Sequence, residues 1–426
     1  CQGSELEGEF RAVEGSDWYL SPKLYKENGF KEKKDAEELI RYLSVSQPMQ
    51  AVVEKMERKN ENKNPPLLFN LAELQNECSR LFKVSPDETL KIVQELYEKK
   101  LVTYPRTDAR VLSTAVAKEI YKNIRGLCSF EPTGAFAAEI LENGSYKKIT
   151  STRYVNDKQI TDHYAIIPTG QGLGALKSVS ARSAKVYELI ARRFLSVFYP
   201  AAVYKKVSMV TMMGKERFFS ACKVLDQEGY LKVANVKKNG EEQKDRAMLL
   251  QLQTLKKGSI LPVKSLDIKE GETAPPKRYN SGSMILAMEN AGQLIEDEEL
   301  REQIKGSGIG TSATRAEILK KLISNKYIAL NKKTQILTPT LLGEMIFDVV
   351  SVSIRSLLNP ELTASWEKGL TYVAEGTITS EEYMNKLNHF VRTRTDAVLH
   401  MNQHIALREY FDASARYYKK PSKAKA

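Results

Sequence analysis

Apolar residues recur every three or four positions through residues 67–127 and again through "SARSAKVYELIARRFLSVF" within 178–199, which predicts helices in both spans. Between 200 and 236 the pattern shifts towards alternation, in "AVYKKVSMVTMM" and "GYLKVANV". With "SILPVKSLDI" at 259–268, these segments read as strands. Residues 281–400 return to a mainly helical pattern with one hairpin, "YIALNKKTQILT". The charged, Asn-rich "MERKNENKNPP" at 56–66 reads as a linker, and "KKNGEEQKDR" at 237–246 and "KEGETAPPKRYNSGS" at 269–283 mark further breaks. No internal repeat is visible. The order of segments suits a strand-rich part interrupted by a helical insertion.

One helix is signposted at its start. "SPDETLKIVQELYEKKL" opens with Ser85 as N-cap, Pro86 at the first helical position and Glu88 at capping-box spacing. Leu90, Val93, Leu96 and Tyr97 form its expected apolar face. The chain then runs directly into "VTYPRTD", where Pro105 biases Tyr104 towards an extended backbone. A phenol is thus carried at the end of a stiff support without belonging to it.

Length and composition narrow the class. The 426 residues allow about two to four domains, and 42% hydrophobic with 28% charged residues fits a globular protein. No apolar run approaches membrane-spanning length, and the polar start "CQGSELEGEF" has neither a signal-peptide core nor an initiator Met. The chain therefore reads as a fragment or a processed product. Cys1, Cys78, Cys128 and Cys222 form no C-x-x-C pair, which argues against a zinc ribbon and a disulfide framework and suits a reducing cytoplasm. The formal net charge of +12 favours a polyanionic partner, nucleic acid above all. "RYYKKPSKAKA" at the C-terminus is basic throughout and reads as a frayed tail able to touch phosphate.

Three stretches carry candidate chemistry. A tyrosine hydroxyl, with an ordinary pKa near ~10, attacks a phosphodiester only where positive charge favours the phenolate and holds the pentacoordinate phosphorus. Arg106, two residues from Tyr104, has the fork to do this. In "TDHYAIIPTG" at 161–170, His163 is the only histidine among the first 388 residues, able to donate to phosphate or relay a proton. In "KGSGIGTSATRAEILKK", glycines lead into a Thr/Ser-rich helix start whose N–H groups can seat a phosphate, with Thr314 and Glu317 at capping-box spacing. Helix, helix and a basic-tipped hairpin outline a winged helix. Each also has a plain structural reading: a half-buried aromatic in a turn, a structural histidine and an ordinary capped helix.

Taken together and in order, these stretches resemble type IA DNA topoisomerases, nearest to the bacterial topoisomerase III branch. The likeness extends through "PPLLFNLAELQNECSRLFKVSPDETLKIVQELYEKKLVTYPRTDAR", "STRYVNDKQITDHYAIIPT", "ETAPPKRYNSGSMILAMENAG", "GIGTSATRAEIL" and "NPELTASWEKGL", covering most of 65–376. The resemblance implies a multidomain α+β fold. It would be a toroid with a strand-rich arch (1–66 and 200–278), a helical domain with the tyrosine (67–199), a winged-helix-like (CAP-like) base domain (279–400) and a basic tail (401–426). It implies that Tyr104 forms a 5′-phosphotyrosyl link to single-stranded DNA, with Arg106 and His163 beside the scissile phosphate. Thr107, Asp108, Lys158, Thr169, Thr311, Ser312, Thr314 and Arg315 would contact DNA. Ser312 stands where the family commonly has proline. Strand passage would need no ATP, and duplex DNA and a RecQ-type helicase are the implied partners, in a bacterial cytoplasm at the nucleoid.

One departure stands out. The family's Toprim domain, with its acidic D-x-D-x-x-G type motif, catalytic Glu and Mg²⁺, is expected upstream and is not found; "VLDQEG" and "IEDEEL" lack its spacing. No metal site is expected in this chain, which would carry the nucleophile without the acid half. Alternatives are a tyrosine recombinase, whose tyrosine falls late in the chain, or a relaxase, which needs a metal-binding histidine pair. His400 and His404 are one helical turn apart but lack an acidic third ligand, and read as part of a solvated terminal helix. A non-catalytic single-stranded DNA-binding module is the further alternative.

Overall fold

The computed structural model describes residues 6–234, 249–250, 252, 254–294 and 308–418. The break at 237–246, the "IEDEEL" stretch and the last eight residues of the basic tail lie outside them. The chain divides into two compact units, one of residues 1–66 with 195–275 and the other of 67–194 with 276–426. The content is mixed α+β.

The first unit is built on a five-stranded antiparallel sheet. Its strands are β1 (Glu9–Arg11), β4 (Gln50–Lys63), β5 (Ala202–Met213), β6 (Glu216–Gln227) and β7 (Ile260–Pro262), in the order β1-β6-β5-β4-β7. A small ribbon, β2 (Leu24–Lys26) with β3 (Gly29–Phe30), and helix α1 (Lys33–Leu43) accompany it. The alternation read in 202–213 is real: Val207, Met209, Thr211 and Met213 bury one face. The supposed linker at 56–66 is instead largely strand, since Met56 to Lys63 pair with Met209 to Ala202. Its residues beyond Glu57 are exposed on both faces, so no alternation betrays it; backbone pairing with β5 holds it extended, and Arg58 and Glu61 add side-chain bonds to Leu252 O and Lys223. "GYLKVANV" was read as strand, but its Leu231–Ala234 form a helical turn, and only Ile260–Pro262 of "SILPVKSLDI" pair. Val53, Val207, Met209, Cys222 and Val224 fill the middle of the sheet. Phe10, Trp18 and Phe30 close one end, with Phe10 stacked on Phe30 at 5.6 Å and Trp18 edge-on to it at 5.0 Å.

The second unit is mainly helical. It holds helices α2 (Leu71–Phe82), α3 (Pro86–Glu98), α4 (Thr114–Lys118), α5 (Ile120–Leu127), α6 (Gly134–Asn143) and α7 (Ala181–Ser196), with α9 (Ser281–Glu289) and α10 (Arg315–Ser324) packed on α2 and α3, α8 being the turn at Leu231–Ala234. The hairpin of β8 (Ile328–Leu330) and β9 (Leu337–Pro339) has an exposed tip with Lys332 and Lys333. Helices α11 (Leu341–Ser353), α12 (Pro360–Ala374), α13 (Ser380–Leu399) and α14 (His404–Tyr418) follow. His400 caps α13 while His404 opens α14, so the two histidines do not share a helix. Helix α9 crosses α2 closely: a Cβ on Gly282 would lie 2.7 Å from Asn76 Cα. Beside it, Ser281 bonds Ser79 at 3.1 Å and Gln335 at 2.8 Å, so the α9 segment is keyed to α2 by both shape and polarity.

Candidate active site

Ser85 caps α3 as read, its Oγ accepting from Glu88 N–H, but Glu88 does not reach back; its carboxylate pairs with Arg182. Ile92, Val93 and Leu96 bury the inner face, and Tyr97 stays exposed at its edge. The helix ends through Lys100, held at φ +61° while Leu101 N–H bonds Leu96 O at 2.9 Å. That left-handed residue turns Leu101 and Val102 into the core and frees the chain to run extended past Tyr104.

The extended run is then zipped to residues 163–169. Thr103 N–H donates to Ile167 O at 3.0 Å, and its hydroxyl donates to Ala165 O and accepts from Ile167 N–H. Thr169 N–H closes the upper end on Leu101 O at 3.0 Å. At the lower end Thr107, 4% exposed, donates its hydroxyl to His163 O at 2.9 Å and accepts from Ala109 N–H at 3.1 Å. Buried Ala165, Ile166 and Ile167 anchor the second strand of this zipper, with Ile166 N–H on Phe69 O.

The outcome is a fixed pair of rings. Tyr104 and His163 lie with centroids 4.2 Å apart and planes tilted by 38°, and Tyr97 meets Tyr104 edge-on at 5.5 Å. They line a cleft of about 450 Å³ with Lys100, Thr103 and Thr169. His163 is exposed and Tyr104 half-buried. Arg106 donates from Nη1 to Gln94 Oε1 at 2.9 Å, which ties the guanidinium back to α3.

Asp108 faces another way. Its Oδ1 accepts from Arg315 Nη1 at 3.0 Å, and Arg315 is 1% exposed, with Nε directed to Ile309 O at 3.3 Å. The sequence reading put Arg315 on DNA; the structure turns it inward, because two carboxylates and a carbonyl surround it. The second carboxylate is Glu289, 4.0 Å from Nη1 and bonded by Asn70 Nδ2 at 2.7 Å. Burial pushes the Glu289 carboxyl above its ordinary value, against the opposing pull of Arg315. Thr107 likewise has its hydroxyl committed inside the fold.

Gly308 packs on the end of α9, where a Cβ would lie 2.4 Å from Met288 O. Thr311 and Thr314 are exposed at the start of α10, and Ser312 is buried. The capping box expected there is absent: Thr314 Oγ1 accepts from Thr311 N–H at 2.8 Å, and Glu317 pairs with Lys320. Lys158 sits on a one-turn helix, Asp157–Gln159, exposed and outside the cleft lining. Gln94, Asn70 and Glu289 were not singled out from sequence, and Tyr97 figures there only in the apolar face of its helix. Asn70 carried a signal, as an N-cap type immediately before an apolar helix; Glu289, inside an otherwise apolar helix, carried a weaker one.

Among the described residues no cluster of three or more His, Cys, Asp or Glu could hold a metal ion. No described helix is long and apolar enough to cross a membrane.

The chain matches the family model described as DNA topoisomerase over residues 5–385. It is 34% identical over 369 residues to DNA topoisomerase 3 of Bacillus subtilis, covering 85% of this chain and 49% of that protein. DNA topoisomerase 3 of Bacillus licheniformis is 33% identical over 359 residues, covering 83% and 48%. The fold is similar to that of full-length topoisomerase I from Thermotoga maritima, with a TM-score of 0.63 and 24% identity, over 93% of this chain and 58% of that one. The chain thus spans about half the length of the curated relatives it matches. With most of its residues inside that family's model, the chain belongs to the type IA DNA topoisomerases.

Proposed function

We propose that this chain is the nucleophile-bearing part of a topoisomerase III-like enzyme that cleaves and rejoins single-stranded DNA. The observation carrying this reading is the Tyr104–His163 ring pair, held at 4.2 Å in an open cleft by hydrogen bonds on both sides. Tyr104 Oη attacks the phosphorus, an O–P bond forms, and the P–O3′ bond breaks. The product is a 5′-phosphotyrosyl link and a free 3′-hydroxyl, the phenolic proton passing to His163, whose ring packs on that of Tyr104. Arg106, anchored by Gln94, supplies the fork for the phosphoryl oxygens. Attack by the 3′-hydroxyl on the phosphotyrosine reverses every bond change, so strand passage for relaxation or decatenation consumes no ATP.

The proton for the leaving 3′-oxygen must come from elsewhere. Asp108 is engaged by Arg315, and among the described residues no cluster of three or more His, Cys, Asp or Glu could hold Mg²⁺. We place that acid and the Mg²⁺ in a Toprim domain of the enzyme. A RecQ-type helicase opening duplex DNA would supply single strands, in a bacterial cytoplasm at the nucleoid.

The test is covalent capture. A labelled single-stranded oligonucleotide and Mg²⁺ are incubated with this chain, with and without a Toprim segment from a relative, then denatured and resolved by size. An adduct that requires the added segment and disappears with Tyr104→Phe is expected. An adduct with the chain alone refutes the need for a Toprim domain. DNA retention on a native gel without any adduct, once docking of the segment is demonstrated, replaces the enzyme by a binding module.

A further inference from the structure

Arg315 is a fully buried cation one residue past the Thr311–Thr314 turn, in which Thr311 and Thr314 are exposed and Ser312 is buried. Removing a guanidinium from water is costly, and a residue whose task is to grip DNA phosphate would keep its fork at the surface. Here the fork is spent inward, on Asp108 at 3.0 Å and towards Glu289 at 4.0 Å. Asn70 joins the same group: its Nδ2 lies 2.7 Å from Glu289 Oε1 and 3.2 Å from Asp108 O, while its Oδ1 caps α2 through Glu73 N–H at 2.9 Å. The next residue, Leu71, donates its N–H to Thr107 O at 3.1 Å. Four elements meet here: the start of α2, the tyrosine loop, the end of α9 and the start of α10. Each is held by a charged or bifurcated bond that tolerates little slip.

We propose that Arg315, with Glu289 and Asn70, is a positioning centre that fixes the Tyr104–Asp108 loop against the Thr311–Thr314 helix start. This rests on the reading of Tyr104 as nucleophile. A strand lying across the exposed Thr311 and Thr314 would present another of its phosphates to Tyr104. A fixed register between the two sets which phosphodiester of a bound strand meets the phenol. Arg315 then governs cleavage without touching DNA, and these are positioning residues, not catalytic ones.

The test uses the full chain with Arg315→Met, Arg315→Lys, Asp108→Asn and Glu289→Gln. Hydrogen exchange of the 102–112 and 308–315 amides is read against the α3 peptide as an internal control. Affinity for a single-stranded oligonucleotide is measured beside the rate of adduct formation with an added Toprim segment. Arg315→Met is expected to speed exchange in both segments by about tenfold or more with α3 unchanged. Asp108→Asn and Glu289→Gln should shift exchange the same way by less, and they carry the test if Arg315→Met does not fold. Adduct formation should fall by about tenfold while affinity moves less than about twofold, with Arg315→Lys in between because it keeps the charge and loses the fork. Unchanged exchange in all variants overturns the proposal. So does a loss of affinity in step with adduct rate, which would make Arg315 a direct DNA contact. If the unaltered chain forms no adduct with the added segment, the reading of Tyr104 fails, and the exchange results still decide whether the centre holds the loop.

Discussion

Thr107→Val tests whether the tyrosine–histidine pair is held by the hydroxyl beneath it. Thr107 is 4% exposed and serves two partners, His163 O at 2.9 Å and Ala109 N–H at 3.1 Å. Valine fills nearly the same space, so the change removes bonding more than packing. The buried Ala109 N–H loses its partner at about 1–3 kcal/mol, and the part-buried His163 O, nearer to water, loses less, giving a local loss of about 1–3 kcal/mol. The loss falls on the zipper between 101–112 and 163–169, and the core beneath α2 and α3 is spared. Native-state hydrogen exchange reads it directly: amides of Thr103, Ala165 and Ile167 should exchange through a lower-energy opening, while α3 is unaffected. Thr107→Ser keeps the hydroxyl and should recover most of the difference. A Thr107→Val protein within about 0.5 kcal/mol of the native one in this segment would refute the account. Equal losses for valine and serine would assign the effect to the threonine methyl.

Three further outcomes are expected. Gly282→Ala would put a Cβ 2.7 Å from Asn76 Cα and 2.9 Å from Ser79 Cβ, so thermal unfolding should show a loss of about 1–3 kcal/mol, while Gly271→Ala, with nothing within 4 Å, should be neutral. Burial pushes the Cys78 thiol up to about 12, so a thiol-reactive dye at mild alkaline pH should reach exposed Cys128 quickly and Cys78 only on unfolding; Cys128→Ser should remove that fast reaction. Burial raises Glu289 above 4.5 in the folded state, so its contribution to stability is present below that value and lost as pH rises through the folded pKa. Melting temperatures from about pH 4 to 8 should therefore show the native protein losing ground to Glu289→Gln as pH climbs, and parallel curves would refute the assignment.

The sequence determined most where local chemistry decides structure. Ser85 and Pro86 start α3 because a side-chain cap and a fixed φ act within one turn. Alternation over 202–213 marks β5 because half its side chains face a core. It also drew attention to Tyr104 and His163. Signals failed where the deciding partner lies far along the chain. Arg58 to Lys63 are polar on both faces, and β5 supplies the backbone hydrogen bonds that keep them extended. The four residues Leu231–Ala234 are too short for periodicity to separate helix from strand. Glu317 stands at capping-box spacing from Thr314, but Thr311 takes the hydroxyl first.

The site shows the same division. A phenol, a fork and an imidazole can be named from residue type and spacing, because those fix what each group can do to a phosphate. Which of them touch is set by the zipper of Thr103 and Thr107 on 163–169, whose threonine hydroxyls bond backbone carbonyls far along the chain that carry no residue-specific mark. The direction of Arg315 is decided in the same way. In sequence it is one more cation beside a Thr/Ser-rich helix start, and only the convergence of Asp108, Glu289 and Asn70 offsets the cost of taking it out of water.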